Sequence, residues 1–215
     1  MVAETSQNIF DDPLFVAHLD RLWYMNTADF DRLCMMVMGW DLDNLRVLDV
    51  GCGTGRMAKL FRRATWEGVD SSPEMVRICT EKGLNAHQQS IFSLPYNNAS
   101  IDLVLCHAVV FHVGNWAGAV KELWRVAKSR LIFTSYYSHR PWPLNDLGVV
   151  PVWGEDPSTG KGWFCPKHAP PAWQIKRFIR HPKHLGVKDA RLTWIDGENN
   201  FGDQIVYCDL RKEPA

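Results

Sequence analysis

The chain has 215 residues, 46% of them hydrophobic and 22% charged, with 24 basic side chains balanced by 24 acidic ones. That length suffices for one compact domain with a sizeable core and is too short for two full ones. The even charge excludes a global field that would draw the protein to nucleic acid or to an anionic membrane, which leaves small molecules as the expected partners.

No apolar run reaches membrane-spanning length, and the opening Met-Val-Ala-Glu-Thr-Ser-Gln-Asn lacks the basic and apolar regions of a signal peptide. A cytoplasmic protein, monomer or homodimer and free of the membrane, is expected. Six cysteines at 34, 52, 79, 106, 165 and 208 show no C-x-x-C spacing and read as reduced thiols. Cys165 with His168, and His181 with His184, lack a second pair at zinc-site spacing, so no metal is expected.

The first predicted helix opens at Asp12-Pro13, an aspartate cap ahead of a first-turn proline, and places Phe15, Leu19 and Leu22 on one face. A second helical pattern carries Phe30, Leu33, Cys34, Val37 and Met38 at i, i+3, i+4 spacing and stops at Gly39. An apolar strand, Arg46 to Val50, then runs into Gly51-Cys52-Gly53-Thr54-Gly55, followed by a helical stretch from about Arg56. Alternate glycines let a loop press its backbone against a ligand, and the helix behind it offers unpaired N–H groups. The third glycine falls one residue early for the dinucleotide fingerprint, and no G-K-[ST] follows, so phosphate cradling is disfavoured.

A second strand, Trp66 to Val69, ends in Asp70, about 20 residues past the loop, where an acidic group reaches a ribose diol. A nucleoside without pyrophosphate is the better reading. Ser71-x-x-Glu74 with Pro73 predicts a boxed helix start. A weak strand near Ala86 to Gln89 follows, then Leu103 to Val110, then a helix capped by Asn115 with the stripe Val120, Leu123, Trp124 and Ala127. After a strand at Leu131 to Tyr136 comes a long Pro-, Gly- and Trp-dense stretch, Ser138 to Ala169, of the kind that forms lids or binding loops. A helix from about Pro171 to Arg180 and two antiparallel strands, Arg191 to Ile195 and Gln204 to Leu210, complete the chain. Alternating strands and helices specify a doubly wound α/β sheet.

Val-Leu-Asp-Val-Gly-Cys-Gly-Thr-Gly at 47 to 55, Gly-Val-Asp-Ser-Ser-Pro-Glu-Met-Val at 68 to 76, Ser-Leu-Pro-Tyr from 93 and Ile-Asp-Leu-Val-Leu ending at 105 together resemble the class I S-adenosylmethionine-dependent methyltransferases, of the type-11-like, small-molecule branch. The resemblance covers about Leu45 to Phe133. It implies a Rossmann-like seven-stranded sheet, mostly parallel with an antiparallel C-terminal hairpin, plus N-terminal helices. A single domain is expected, with a helical lid at 1–44, a cofactor core at 45–136, a substrate loop at 137–170 and a C-terminal helix and hairpin at 171–215.

The resemblance further implies S-adenosyl-L-methionine as cofactor. Asp49 with the backbone of Gly51, Cys52, Gly53 and Gly55 would hold its amino acid end, and Asp70 both ribose hydroxyls. Ser71 and Met75 would flank ribose and adenine, Ile91 would offer its N–H to the ring, and Cys106 and His107 would give main-chain contacts. Ser90 stands where the family commonly has an aspartate for the exocyclic amine, a weaker acceptor by about 1 kcal/mol. Ala-Lys-Ser-Arg at 127 to 130 likewise replaces the usual Lys-Pro-Gly-Gly turn.

Methyl transfer from a sulfonium is an in-line displacement, so the protein aligns the reactants and excludes water. Where the acceptor is a hydroxyl or protonated amine, a base near neutrality serves, and His112 occupies the family position bordering the methyl, beside Phe111. Tyr136, Tyr137, His139 and Arg140 cluster past the fifth strand. Tyr137 and His139 are further candidates for the chemistry, Tyr136 and Arg140 for substrate contact, and Phe10, Trp23 and Tyr24 are candidate lid residues over the substrate. The aromatic loops suggest an aromatic or heterocyclic metabolite as methyl acceptor. The competing reading is a non-catalytic S-adenosylmethionine-binding module that acts as a partner or regulator. RNA or protein modification lacks a basic arm, an Asn-Pro-Pro-Tyr motif or an appended recognition domain.

Overall fold

The computed structural model describes residues 9–25, 33, 36–37, 41–138, 149–155, 162–166, 172–181, 183–196 and 203–212. At 22–25, 136–138, 149–155, 162–166, 172–173, 194–196 and 203–205 the description covers the backbone alone.

A 3-10 turn, Ile9–Asp11, leads into α1, Pro13–Met25, whose first amides, of Leu14 and Phe15, donate to Asp12 Oδ1 at 2.9 and 3.3 Å. The aspartate thus satisfies two donors that a helix start leaves orphaned. The core follows as β1 (Arg46–Val50), β2 (Thr65–Asp70), α2 (Pro73–Glu81), β3 (Ala86–Gln88), β4 (Ile101–Cys106), α3 (Trp116–Val126) and β5 (Ala127–Ser138). Next come the hairpin β6 (Val149–Glu155) and β7 (Gly162–Pro166), then α4 (Ala172–Arg180), β8 (Asp189–Asp196) and β9 (Asp203–Arg211).

The main sheet has seven strands in the order β3-β2-β1-β4-β5-β9-β8. Its pairs are parallel from β3 through β5, and both pairs made by β9 are antiparallel. This is the Rossmann-like sheet with a C-terminal hairpin that the sequence predicts. Alternate residues of each buried strand enter opposite layers. Leu48, Val104, Leu131 and Phe133 pack with Val120 and Leu123 of α3 and Ile175 and Ile179 of α4. Val47, Leu103, Leu105 and Ile132 pack on the other face with Leu33, Val37, Met57 and Phe61.

Several local expectations are corrected. The α2 cap is Ser72, whose Oγ accepts the Met75 N–H, rather than Ser71; Pro73 occupies the first helical position and so fixes its predecessor as the cap. Glu74 pairs with Arg77 instead of closing a box. The fourth strand stops at Cys106, because Ala108 adopts φ 59 and turns the chain, its N–H donating to Thr134 Oγ1 at 2.8 Å. Ala127 opens β5 rather than closing α3. The segment after the glycine loop is a 3-10 helix, Arg56–Phe61. The long stretch after β5 contains a hairpin, where only a loop is expected from sequence.

Candidate functional site

Sheet order reverses about β1, flanked by β2 and β4, and the loops leaving these strands face each other beyond their carboxyl ends, where open α/β sheets bind ligands. Gly51, Gly53 and Gly55 all have positive φ, at 72, 54 and 79°. Their purpose differs in part from the sequence expectation that missing Cβ atoms make room for a cofactor. A Cβ on Gly51 would lie 2.2 Å from Val109 Cγ2, and one on Gly55 2.2 Å from Leu84 Cδ1. These two glycines let the protein close on itself and draw the loop tight between the β4 exit and α2.

Asp70, at the end of β2, accepts the Gly53 N–H through Oδ2 and the Ser72 N–H through Oδ1, both at 2.9 Å. The carboxylate therefore clamps the middle of the glycine loop to the start of α2. Burial raises its pKa, these backbone donors oppose the rise, and the charge of Asp11 adds to it.

Asp49 lies on β1 under the loop, 2% exposed, and its Oδ2 has no hydrogen-bond partner among the described residues. Burial first, then the charge of Asp70, pushes its pKa up to about 7. The neighbouring Trp66 indole works the other way; its Nε1 is also buried and unpartnered among the described residues. An orphaned buried carboxylate oxygen is costly, and a cationic ligand group would relieve it.

The N-terminal segment is fastened over this arrangement. Ser72 Oγ donates to the Phe10 carbonyl at 2.6 Å. Thr54 Oγ1 donates to Asp20 Oδ1 on α1, and Lys82 Nζ donates to the same oxygen at 2.7 Å and to the Thr54 carbonyl at 3.2 Å. The Phe10 ring meets the His112 imidazole edge-to-face at 5.2 Å between centroids, with Phe111 on His112 at 4.1 Å. Phe10, Phe111 and His112 are thereby brought together at the mouth, where the β4 exit meets the N-terminal turn.

The other expected site residues differ in exposure and partners. Met75 is 2% exposed and packs under α1 with Phe15, Val16 and Leu19, so it presents almost no surface to a ligand. Ser71 is exposed, and its carbonyl accepts from Gln88 Nε2. Ser90 Oγ caps its own turn by accepting the Phe92 N–H at 3.2 Å, and Ile91 rests half-buried against the main core. Cys52 and Cys106 are buried; burial holds the Cys106 thiol well above its usual range, leaving only its backbone for ligand contact. His107 is partly exposed beside the Tyr207 ring. Trp23 and Tyr24 fall in α1, and Tyr136 and Tyr137 in β5, where the description covers the backbone alone; His139 and Arg140 lie outside the described residues.

Val109, Thr54, Asp20, Lys82 and Asp11 are parts of the site that sequence reasoning missed. Only Thr54 carried a signal, its place inside the glycine loop. Among the described residues no group of three His, Cys, Asp or Glu is arranged for a metal ion, and no helix is long and apolar enough to cross a membrane.

Residues 48–133 match the family model described as "Methyltransferase domain". The YcgJ methyltransferase of Bacillus subtilis is 34% identical over 104 residues, 43% of this chain and 41% of that protein. A fatty-acid O-methyltransferase of Mycolicibacterium smegmatis is 34% identical over 73 residues, 30% of this chain and 27% of that one. The matched segments thus span about two fifths or less of these curated relatives' length. Among solved structures, a magnesium protoporphyrin IX methyltransferase from Synechocystis with bound S-adenosylmethionine superposes with TM-score 0.60 at 18% identity, over 92% of this chain and 84% of that one. An S-adenosylmethionine-dependent methyltransferase of Thermotoga maritima gives TM-score 0.62 at 18% identity, over 95% and 99%. The core thus matches a methyltransferase domain and shares the fold of solved S-adenosylmethionine-dependent methyltransferases.

Proposed function

We propose that the chain transfers the methyl group of S-adenosylmethionine to a small aromatic or heterocyclic acceptor, within one catalytic unit running from the N-terminal lid to the C-terminal hairpin. One observation carries this reading: Asp70 closes the glycine loop through Gly53, and Asp49, on the strand that leads into that loop, has a buried Oδ2 without a partner among the described residues. The donor set fits the cofactor, since a buried carboxylate suits an ammonium and a second at the strand end suits a ribose.

Asp49 and the backbone of Gly51 and Gly53 would hold the amino acid end, Asp70 the ribose, the backbone around Ser90 and Ile91 the adenine, and the backbone of Cys106 and His107 the flank. When bound, S-adenosylmethionine supplies a methyl carbon activated by a sulfonium. The chain then orients the acceptor, excludes water and takes up a proton. Phe10 forms an apolar wall beside His112, with the buried Phe111 packed on the imidazole, favouring a flat acceptor stacked or edge-packed there. His112 accepts the acceptor's proton as general base where the acceptor needs one. In this scheme Tyr137 and His139 are further candidates for the chemistry, and Tyr136, Arg140, Trp23 and Tyr24 for acceptor contact.

Methyl-labelled cofactor incubated with a panel of phenols, heteroaryl amines and aliphatic acids tests the proposal. Label on an aromatic or heterocyclic product is expected. Exclusive labelling of aliphatic acids or RNA would overturn the acceptor class, and saturable cofactor binding with no label on any acceptor would favour a binding module.

A further inference from the structure

We propose that Asp11, on the N-terminal turn, is a second carboxylate for the cofactor's ribose, so that the turn reads the sugar hydroxyls together with Asp70; the inference rests on the cofactor reading above. Asp11 belongs to the 3-10 turn Ile9–Asp11, which the Ser72 hydroxyl pins by its bond to the Phe10 carbonyl at 2.6 Å. Ser72 is also the residue whose N–H Asp70 holds. One short bond network therefore sets the lid turn, the start of α2 and the ribose carboxylate in fixed relation.

Asp11 Oδ1 is buried and has no hydrogen-bond partner among the described residues, and the negative charge of Asp11 bears on Asp70. Two carboxylates in one recess repel each other, and burying an oxygen without a donor is unfavourable. The strand β7 and the helix α2 both contact the turn. Independently, Asp49, more than nine-tenths buried and charge-coupled to Asp70, also carries an unpartnered oxygen among the described residues. Among the described residues, acceptors are in excess of donors around Asp70.

A vicinal diol supplies two O–H donors at the spacing of neighbouring carboxylates. Asp70 already receives two backbone N–H groups, which leaves it less free to serve both hydroxyls. Asp11 offers an oxygen with no such commitment among the described residues. In this arrangement one hydroxyl goes to Asp70 and the other to Asp11, and the cofactor bridges the two carboxylates that the network already holds in place. A site built around hydroxyl donors discriminates strongly against a sugar that lacks them.

Calorimetry with S-adenosylhomocysteine and with its 2′,3′-dideoxyribose analogue tests this on the full chain, comparing the unaltered protein with Asp11→Ala and Asp11→Asn. The expected result is that Asp11→Ala weakens S-adenosylhomocysteine about tenfold and leaves the dideoxy analogue within about twofold, with Asp11→Asn between. Equal losses for both ligands, no loss for either, or tighter binding after Asp11→Ala would overturn the proposal. An unaltered protein that binds neither ligand would instead sink the cofactor reading, so the two failures are distinct.

Discussion

Val109 fills the space above Gly51: a Cβ there would stand 2.2 Å from Cγ2 and 3.0 Å from Cγ1 of the valine. The first glycine of the loop is thus held by a residue on the β4 exit, and the two loops of the switch point interlock. Gly51→Ala adds this clash to the strain of an L side chain at φ 72, and a loss of about 2–4 kcal/mol is expected. Gly51→Ala with Val109→Ala removes the clash and keeps the strain, so urea denaturation should show about half of the loss recovered. A double variant no better than the single would deny Val109 this role.

Asp70 serves structure and ligand at once. Asp70→Ala strips the Gly53 and Ser72 amides of their acceptor, each partly buried, at about 1–3 kcal/mol for a donor left unmade. Asp70→Asn keeps one acceptor oxygen. Both variants should lose S-adenosylhomocysteine affinity tenfold or more, with the alanine variant melting several degrees lower and the asparagine variant, whose amide nitrogen faces one of the two N–H donors, between it and the unaltered protein. Calorimetry beside a thermal scan separates the effects, and an Asp70→Ala protein unchanged in both would deny the clamp.

The strand order and the glycine turn were legible because apolar runs of strand length alternate with helical spacing, and because glycine is the residue that tolerates φ above zero. Asp11 was not legible: its meaning arises only when the N-terminal turn meets the start of α2, a contact that no local spacing encodes. The hairpin β6–β7 was hidden for another reason. Pro151 and Gly154 interrupt its first strand, and proline is confined to strands with a free edge, which a two-stranded hairpin provides. Met75 looked like a ligand wall from its place after Asp70, yet helical spacing turns it under α1.

Arg130 and Asp209 form a buried pair across β5 and β9, with Nε and Nη2 donating to the two carboxylate oxygens at 2.6 and 2.8 Å. Nη2 also donates to the Met36 carbonyl at 2.9 Å, fastening the helical segment before β1 onto the sheet. Asp209→Ala leaves the guanidinium buried without its partner and should cost about 3–5 kcal/mol in chemical denaturation. Arg130→Met with Asp209→Leu should recover most of that. Loss below about 1 kcal/mol in the single variant would show that the pair is dispensable.

His112 is packed between Phe10 and Phe111, so its replacement bears on chemistry more than on cofactor capture. His112→Ala should lower kcat about 10²–10⁴-fold while S-adenosylhomocysteine binds within about threefold of the unaltered protein. The acidic limb of the pH–rate profile should vanish with it. A variant with unchanged kcat would reduce the histidine to an aromatic wall.

Asp49 makes the cofactor-free protein sensitive to pH in a defined direction. Its folded pKa of about 7 exceeds the ordinary 3.8, so the folded state holds this proton more tightly than the unfolded chain does. Stability therefore falls as pH rises from about 4 to about 7 and levels off above, where the buried charge costs about 4 kcal/mol at ~1.4 kcal/mol per pH unit. Asp49→Asn removes the slope and should stabilise the cofactor-free protein at pH 8. Binding runs the opposite way, because holding an ammonium requires the ionised carboxylate. S-adenosylhomocysteine affinity should rise with pH up to about 7, with proton release on binding seen as a buffer-dependent calorimetric enthalpy, and in Asp49→Asn both the rise and the release should disappear. An unaltered protein whose stability and affinity are flat between pH 5 and 8 would show that Asp49 is already ionised under the loop.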